Sequence, residues 1–317
     1  MRLFVTAAGA EPYHDAQRDY FRSLAALDEV GQHELVADVD DADAVLFVDL
    51  QQHPDDIFLR VLRRHPLVRR YPGRVYVYDE RDYPFVTFPG VYVSGTPRFA
   101  KGRPVVGGAY PSLPTTMRLD DRSPDLLFSF SGARTHPVRS AVLGLEHPRS
   151  FVRDTSAINF FSWVNNAGND LHIAARSEYA AIVSRSKFVL CPRGHSPSSF
   201  RLYETLSAGR VPVVISDDWL APPRIEWQSC VVRVLERDVS RIPVLLDALE
   251  PRWPQMASAA ARTFDDHFSP SRLWHHYAES IAQLAGTKRR WPWWAQRQVL
   301  RVSARHVRGI ALQAKDR

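Results

Sequence analysis

Short β-branched runs alternate along this chain with amphipathic stretches of helical period. Leu3–Thr6 is apolar and closes in a Gly-containing loop, and Tyr13–Leu27 then spaces Tyr20, Phe21, Leu24 and Leu27 at helical intervals. Ala44–Val48 (AVLFV) is continuously apolar, the pattern of a strand covered on both faces. Pro54 opens a predicted helix with Ile57, Phe58, Val61 and Leu62 on one face. Arg74–Tyr78 (RVYVY) reads as a third strand running into the acidic loop DERDYP. Pro84 to Pro114, with a short strand at Val91–Val93, reads as a lid or crossover.

A second series begins with LLFSFSG from Leu126, followed by a helix over Pro137–Leu145. A helix over Ala174–Ser184, the strand SKFVLCP, a helix over Ser199–Ala208 closed by Gly209, and the strand VPVVI follow. The loop DDWLAPP, the strand VVRVL and helices at Val244–Leu249, from about Pro254 and over Ser271–Leu284 complete it. Strands separated by single helices imply parallel βαβ units. The pattern predicts two α/β domains, an N-terminal one over 1–120 and a second over 121–285, with a separate segment at 286–317.

Composition narrows this picture. Of 317 residues 45% are hydrophobic and 24% charged, which excludes disordered, collagen-like and membrane-bundle classes. The two cysteines, Cys191 and Cys230, cannot form a disulfide framework, and the first residues lack a secretory pattern, so the expected setting is reducing and cytoplasmic. The net charge of +6 suggests an anionic partner until it is mapped along the chain. From Gly286 onward there are nine Lys/Arg against one Asp, so residues 1–285 hold 32 basic and 34 acidic side chains. The basic character therefore belongs to the tail. No nucleic-acid module accompanies it, and nucleic acid is not an expected partner.

Chemistry concentrates in SKFVLCPRGHSPSSFRLYETLSAGRVPVVISDDWLAPP, residues 186–223. A strand delivers a Gly- and Ser-containing loop into a helix start, where free amides and the helix dipole favour an anion. Arg193 with Gly194 in the loop, Ser198 and Ser199 at the helix start and Arg201 in its first turn suit a phosphate or pyrophosphate. Glu204, one turn on, is placed to accept hydrogen bonds from ribose hydroxyls. The bland alternative is an Arg201–Glu204 ion pair on a solvated face. Asp218, at the carboxyl end of VPVVI, faces the same crevice, because ligands in open parallel sheets sit outside those ends.

These residues resemble a known family. CPRG followed by the Ser-Phe-Arg-Leu-Tyr-Glu helix and AGRVPVVISDDWLAPP is similar to the C-terminal half of exostosins, glycosyltransferase family 47. The likeness extends to SFSGARTHPVR (129–139), the Tyr179–Lys187 run and IEWQSCVVRVLERDV (225–239). The resemblance implies a GT-B-like fold, two Rossmann-like domains facing across a cleft. It also implies an inverting transfer from a nucleotide-sugar, usually a UDP-sugar, with no metal bridging the diphosphate and no other cofactor. On these positions it implies Arg193 and Arg201 near the donor phosphates, Ser198 and Ser199 as helix-start donors, and Glu204 on the ribose. The expected acceptor is a glycan or lipid-linked glycan in surface polysaccharide synthesis. The alternatives are a sugar-nucleotide-binding protein without turnover and, ranked below it, a nucleic-acid-binding protein acting through the basic tail.

Inverting transfer needs a general base. Asp82 or Asp79 in the acidic loop is the favoured candidate, with His14 and the loop at Asp49 as alternatives. Cys191 lacks the arginine six positions on that a Cys-x5-Arg phosphatase loop requires, so it reads as a buried strand-end thiol. His275 and His276 have no zinc spacing, and the glycines form no G-x-G-x-x-G fingerprint. In the tail, Arg297, Arg301, Arg305 and Arg308 fall on one helical stripe after WPWW, the pattern of an interfacial helix on an anionic membrane. A peripheral membrane location is thus one expectation for residues 286–317, and packing on the N-terminal domain, or a solvated tail, is the other.

Overall fold

The computed structural model describes residues 1–9, 12–48, 61–110 except 63, 83, 85 and 87, 123–157 and 170–286. Of the predicted helix from Pro54, residues 54–60 lie outside them, while Val61 and Leu62 are helical and Leu62 is buried; the basic tail from residue 287 also lies outside. The chain divides into two compact units, each built on a wholly parallel sheet, as the GT-B-like reading expects.

The first unit contains β1 (Arg2–Thr6), α1 (Pro12–Ala26), β2 (Glu34–Leu35), β3 (Ala44–Phe47), α2 (Pro66–Arg70), β4 (Val75–Asp79), β5 (Gly90–Tyr92), α3 (Pro97–Ala100) and β6 (Val105–Gly107). Its strands lie in the order β2-β1-β3-β4-β5-β6. The continuous apolar runs are its central strands: every residue of β3 and β4 is buried, as a strand covered on both faces requires. The edge strands β2 and β6 escape sequence reading, being two and three residues long and only partly buried at most positions.

The second unit contains β7 (Leu126–Gly132), α4 (Pro137–Leu143), β8 (Ser150–Asp154), α5 (Asp170–Arg185), β9 (Ser186–Pro192), α6 (Phe200–Ser207), β10 (Val211–Ile215), α7 (Trp227–Cys230), β11 (Val232–Val234), α8 (Ile242–Leu249) and α9 (Trp253–His267). The sheet order is β11-β10-β9-β7-β8. Val211, Val213 and Ile215 of β10 are fully buried with Phe128, Phe130, Phe188 and Leu190. Each such side chain contributes about 1.5–3 kcal/mol by leaving water. The edge strand β8 (SFVRD) is partly exposed along its length and carries no apolar run to announce it.

One boundary differs from the sequence expectation. The 121–285 domain was to include the last helix, but α10 (Pro270–Gly286) and Leu220–Pro223 belong to the first unit. Tyr277 of α10 and Tyr78 of β4 both donate to the Ala109 carbonyl, at 2.9 and 2.7 Å. Phe21 of α1 packs on both tyrosine rings, with centroids 5.5 and 5.0 Å away. The amphipathic pattern of Ser271–Leu284 shows that one face is covered; which unit covers it depends on Phe21, Tyr78 and Ala109, far earlier in the chain.

Candidate functional site

Numbered within its own unit, the second sheet runs 2-1-3-4-5, so the winding reverses between β7 and β9. Ligands in such folds sit at that reversal, beyond the carboxyl ends of the strands. The loops there are Ala133–His136, after β7, and Arg193–Ser199, after β9. Ser216–Trp219, after β10, lies on the same edge because the three strands are parallel neighbours.

Arg139 of α4 ties two of these loops together. Its guanidinium donates to the carbonyls of Arg193 (2.9 Å), Ala133 (3.1 Å) and Pro192 (3.3 Å). Gly194 sits in close quarters: a Cβ there would stand 3.1 Å from both Arg139 Nη2 and Thr135 Oγ1, so one of these side chains would have to give by a few tenths of an ångström. His136 caps α4, its Nδ1 accepting from Val138 N at 3.3 Å. Burial, reinforced by the Arg193 charge, lowers its pKa and favours the neutral ring that can accept.

The two predicted serines have different tasks. Ser199 is the N-cap of α6, its hydroxyl accepting from Arg201 N at 3.3 Å. Ser198 N is taken by Ser196 Oγ at 3.1 Å, but Ser198 Oγ is buried and has no partner among the described residues. Thr135 Oγ1 and Ser216 Oγ are in the same condition. Buried polar atoms in native proteins almost always find partners, so these three hydroxyls on the loops of one sheet edge are open to ordered water or to a ligand with acceptor oxygens. At its other end α6 stops at Gly209, whose positive φ of 58° lets its N–H turn back to Leu206 O.

Arg193 is held by acids, with Nη1 3.4 Å from Asp218 and 3.6 Å from Glu236. Asp218, predicted to face the ligand, thus spends one oxygen positioning Arg193. Asp217 and Glu236 join the loops after β10 and β11 by reciprocal bonds to each other's amides, at 3.2 and 2.9 Å. Arg201 and Glu204 do not form the bland surface pair. The guanidinium donates to Ser131 O at 2.6 Å and lies over the Phe130 ring, while Glu204 accepts from the Tyr179 hydroxyl at 3.2 Å. Burial pushes the Glu204 carboxyl above its ordinary value, against the opposing pull of Arg201 and Tyr179.

This edge coincides with a family match. Residues 111–249 fit the model of the Exostosin GT47 domain. The chain carries an exostosin domain. Over 95 residues it is 42% identical to the Exostosin-1 homolog of Caenorhabditis elegans, covering 29% of this chain and 25% of that protein. Against Exostosin-1 of Drosophila melanogaster it is 28% identical over 172 residues, 51% of this chain and 21% of the fly protein. The matches span about a quarter or less of those relatives' lengths. Among solved structures, a glycosyltransferase from Rickettsia africae aligns over 90% of this chain and 99% of its own at 11% identity and a TM-score of 0.40. The fold assignment rests on the two sheets themselves. All the donor-side candidates, Arg193, Gly194, Ser198, Ser199, Arg201, Glu204 and Asp218, lie within the exostosin domain.

In the first unit, Asp79 is buried and clamped by Arg81, whose N and Nε reach Oδ1 at 3.0 Å and whose Nη2 reaches Oδ2 at 2.7 Å. Asp82 is partly exposed. Asp49 and the His14 side chain lie outside the described residues. The group that sequence reading passed over is Glu80, at the carboxyl end of β4. Burial, with Asp79 and Asp82 adding to it, pushes its carboxyl up to about 7 against the opposing hydrogen bond from Gln17. Arg139 and Thr135 were likewise missed as site residues, although SFSGARTHPVR contained both. Among the described residues no group of three or more His, Cys, Asp or Glu is placed to hold a metal ion.

Proposed function

We propose that the protein is an inverting glycosyltransferase that moves a sugar from a nucleoside diphosphate donor, a UDP-sugar in the first instance, to a glycan or lipid-linked acceptor in surface polysaccharide synthesis. The supporting observation is the buried Ser198 hydroxyl at the start of α6, without a partner among the described residues and in the same loop as Arg193, on the switch-point edge of an exostosin domain. Ser198, Thr135 and Ser216 supply hydroxyl donors to the diphosphate oxygens, and Arg193 supplies charge as the leaving group forms. Glu204 takes the ribose hydroxyls with the oxygen that Tyr179 leaves open. The relatives' names fit this reading; one similar to this chain is the probable beta-1,4-xylosyltransferase IRX10 of Arabidopsis thaliana, 32% identical over 101 residues.

The proposed reaction needs no metal, and its setting is the cytoplasm at an anionic membrane surface reached through residues 286–317. Neutralising Arg297, Arg301, Arg305 and Arg308 to Gln should release the protein from anionic vesicles in co-sedimentation. A thermal-shift screen of UDP- and GDP-sugars tests the core proposal, because a ligand bound by the native state raises its stability by mass action. One nucleotide-sugar should raise Tm and be turned over in chelator-treated buffer with release of the diphosphate. Stabilisation by none of them, with no turnover, overturns the reading; tight binding without turnover on a broad acceptor panel turns it into a binding protein.

A further inference from the structure

We propose, resting on the donor reading above, that Tyr179 is a positioning residue for ribose recognition: it holds Glu204 so that one carboxylate oxygen stays open to the vicinal hydroxyls of the nucleotide's sugar. Both residues belong to the second unit. Helix α5 runs into β9 and α6 leaves it, and the two helices meet where Tyr179 packs against Val183, Val189 and Ala208. Tyr179 and Val183 stand one turn apart on the same face of α5. Apolar contact thus anchors the ring, and the ring carries its hydroxyl to Glu204.

Three polar side chains meet there, and each has a different partner. Arg201, the expected counter-ion for a carboxylate three positions on in the same helix, instead gives Nη2 to the Ser131 carbonyl at 2.6 Å. Its guanidinium lies 5.1 Å from the Phe130 ring centre and 5.9 Å from that of Tyr179. Arg201 therefore acts on Glu204 through its charge and not through a hydrogen bond. The Tyr179 hydroxyl donates to Glu204 Oε2 at 3.2 Å, and Oε1 has no hydrogen-bond partner among the described residues.

A carboxylate can accept about four hydrogen bonds, so one drawn out of water onto a single donor is under-satisfied. A vicinal diol supplies two more donors at once. Burial, with the Glu204 charge adding to it, keeps the Tyr179 phenol well above its ordinary range, so the hydroxyl stays protonated and donates. The same burial raises the Glu204 carboxyl, while Arg201, the Tyr179 hydrogen bond and Arg176 oppose it. The phenol thereby supports the ionised form, the one that accepts from a diol. Acting through Glu204, Tyr179 sets which nucleotides bind.

The test compares UDP, dideoxy-UDP, which lacks both ribose hydroxyls, and inorganic pyrophosphate by calorimetry on the full chain; the guanosine pair replaces the uridine pair if GDP is the nucleotide that stabilises the protein. Wild type should prefer UDP over the dideoxy analogue at least about 10-fold, and Glu204→Ala should abolish the preference. Tyr179→Phe should cut it about three- to ten-fold, the worth of one hydrogen bond, with pyrophosphate affinity within about two-fold of wild type. In the Glu204→Ala background Tyr179→Phe should change nothing further. A tyrosine that merely stiffens the two helices would weaken all three ligands alike and leave the preference intact, which overturns the proposal. Should Tyr179→Phe fail to fold, Glu204→Asp decides: it keeps the charge, withdraws it from the phenol by one methylene and should lose the preference, so a wild-type preference there overturns the proposal. A wild type that binds UDP and the dideoxy analogue equally removes the ribose role from Glu204 and Tyr179 together and leaves the transferase reading standing. A wild type that binds no nucleoside diphosphate overturns that reading, and this proposal with it.

Discussion

The two units wind their sheets in the same order and carry opposite chemistry on the carboxyl edges. Leaving aside the extra edge strand β6, each is a 2-1-3-4-5 parallel sheet. The edge after β4 is acidic, with Asp79, Glu80 and Asp82 around one arginine; the edge after β9 offers Arg193 and hydroxyls around acids from neighbouring loops. In both places an ion pair consumes the most conspicuous residue of the motif. Arg81 takes Asp79, and Asp218 with Glu236 takes part of the charge of Arg193. What remains open is the plainer neighbour, Glu80 in one unit and Ser198 in the other. The conspicuous charges build the edge, and the groups beside them are left without a charged partner, Glu80 held by Gln17 and Ser198 Oγ by no described residue.

The strongest way to break this comparison is Asp79→Ala. Asp79 and Arg81 are 3% and 4% exposed, so the variant leaves a buried guanidinium without its carboxylate. Removing one partner of a buried pair costs about 3–5 kcal/mol, read from urea unfolding. A variant of near-native stability that has lost transfer alone would give the base role to Asp79.

Next in size is Arg139→Ala. Three loop carbonyls lose their donor, for an expected loss of about 2–3 kcal/mol and at least ~30-fold weaker UDP binding, because the loops after β7 and β9 come apart together. If stability falls and UDP affinity does not, those loops are scaffold and the ligand lies elsewhere.

The third prediction sets pH against stability. Glu80 titrates at about 7 in the fold, above the ordinary glutamate value, so between roughly pH 4.5 and 7 the folded chain holds a proton that the unfolded chain has lost. Stability from this group is complete below that window and is lost as pH rises through it. A neutral Gln removes the cost of the charge, so Glu80→Gln should be more stable than wild type at pH 8, by about 1–2 kcal/mol for a partly exposed group, with the difference vanishing near pH 4. A variant less stable than wild type at pH 8 would mean that the fold favours the charged carboxylate.

The sequence carries the central strands plainly, since AVLFV, VYVY, LLFSFSG and VPVVI are buried on both faces and periodicity alone finds them. The loop-to-helix start at Ser199 was equally legible, because a cap, a helix and a strand follow one another within 20 residues. Edge strands β2, β6 and β8 were not, being short or partly exposed. The home of α10 was hidden because an amphipathic face does not name its partner. Within the acidic loop, three carboxylates look alike in sequence; they separate only when Arg81 folds onto Asp79 and Gln17 arrives from α1. The same holds for Ser198 and Ser199, adjacent and identical in type, of which one caps and one does not.

That last pair gives the smallest and cleanest test. Ser199 Oγ closes the first turn of α6, so Ser199→Ala should cost about 1 kcal/mol of stability with UDP affinity changed little. Ser198 Oγ is buried and unpartnered, so Ser198→Ala removes a desolvated hydroxyl that stabilises nothing in the free protein, and Tm should stay level or rise slightly. If that hydroxyl donates to a diphosphate oxygen, its loss removes a charge-assisted hydrogen bond and weakens UDP about ten-fold. The two alanine variants should therefore cross: one loses stability and keeps affinity, the other keeps stability and loses affinity. Equal losses of both in the two variants would show that the serines act as one cap and that the open hydroxyl has no ligand to meet.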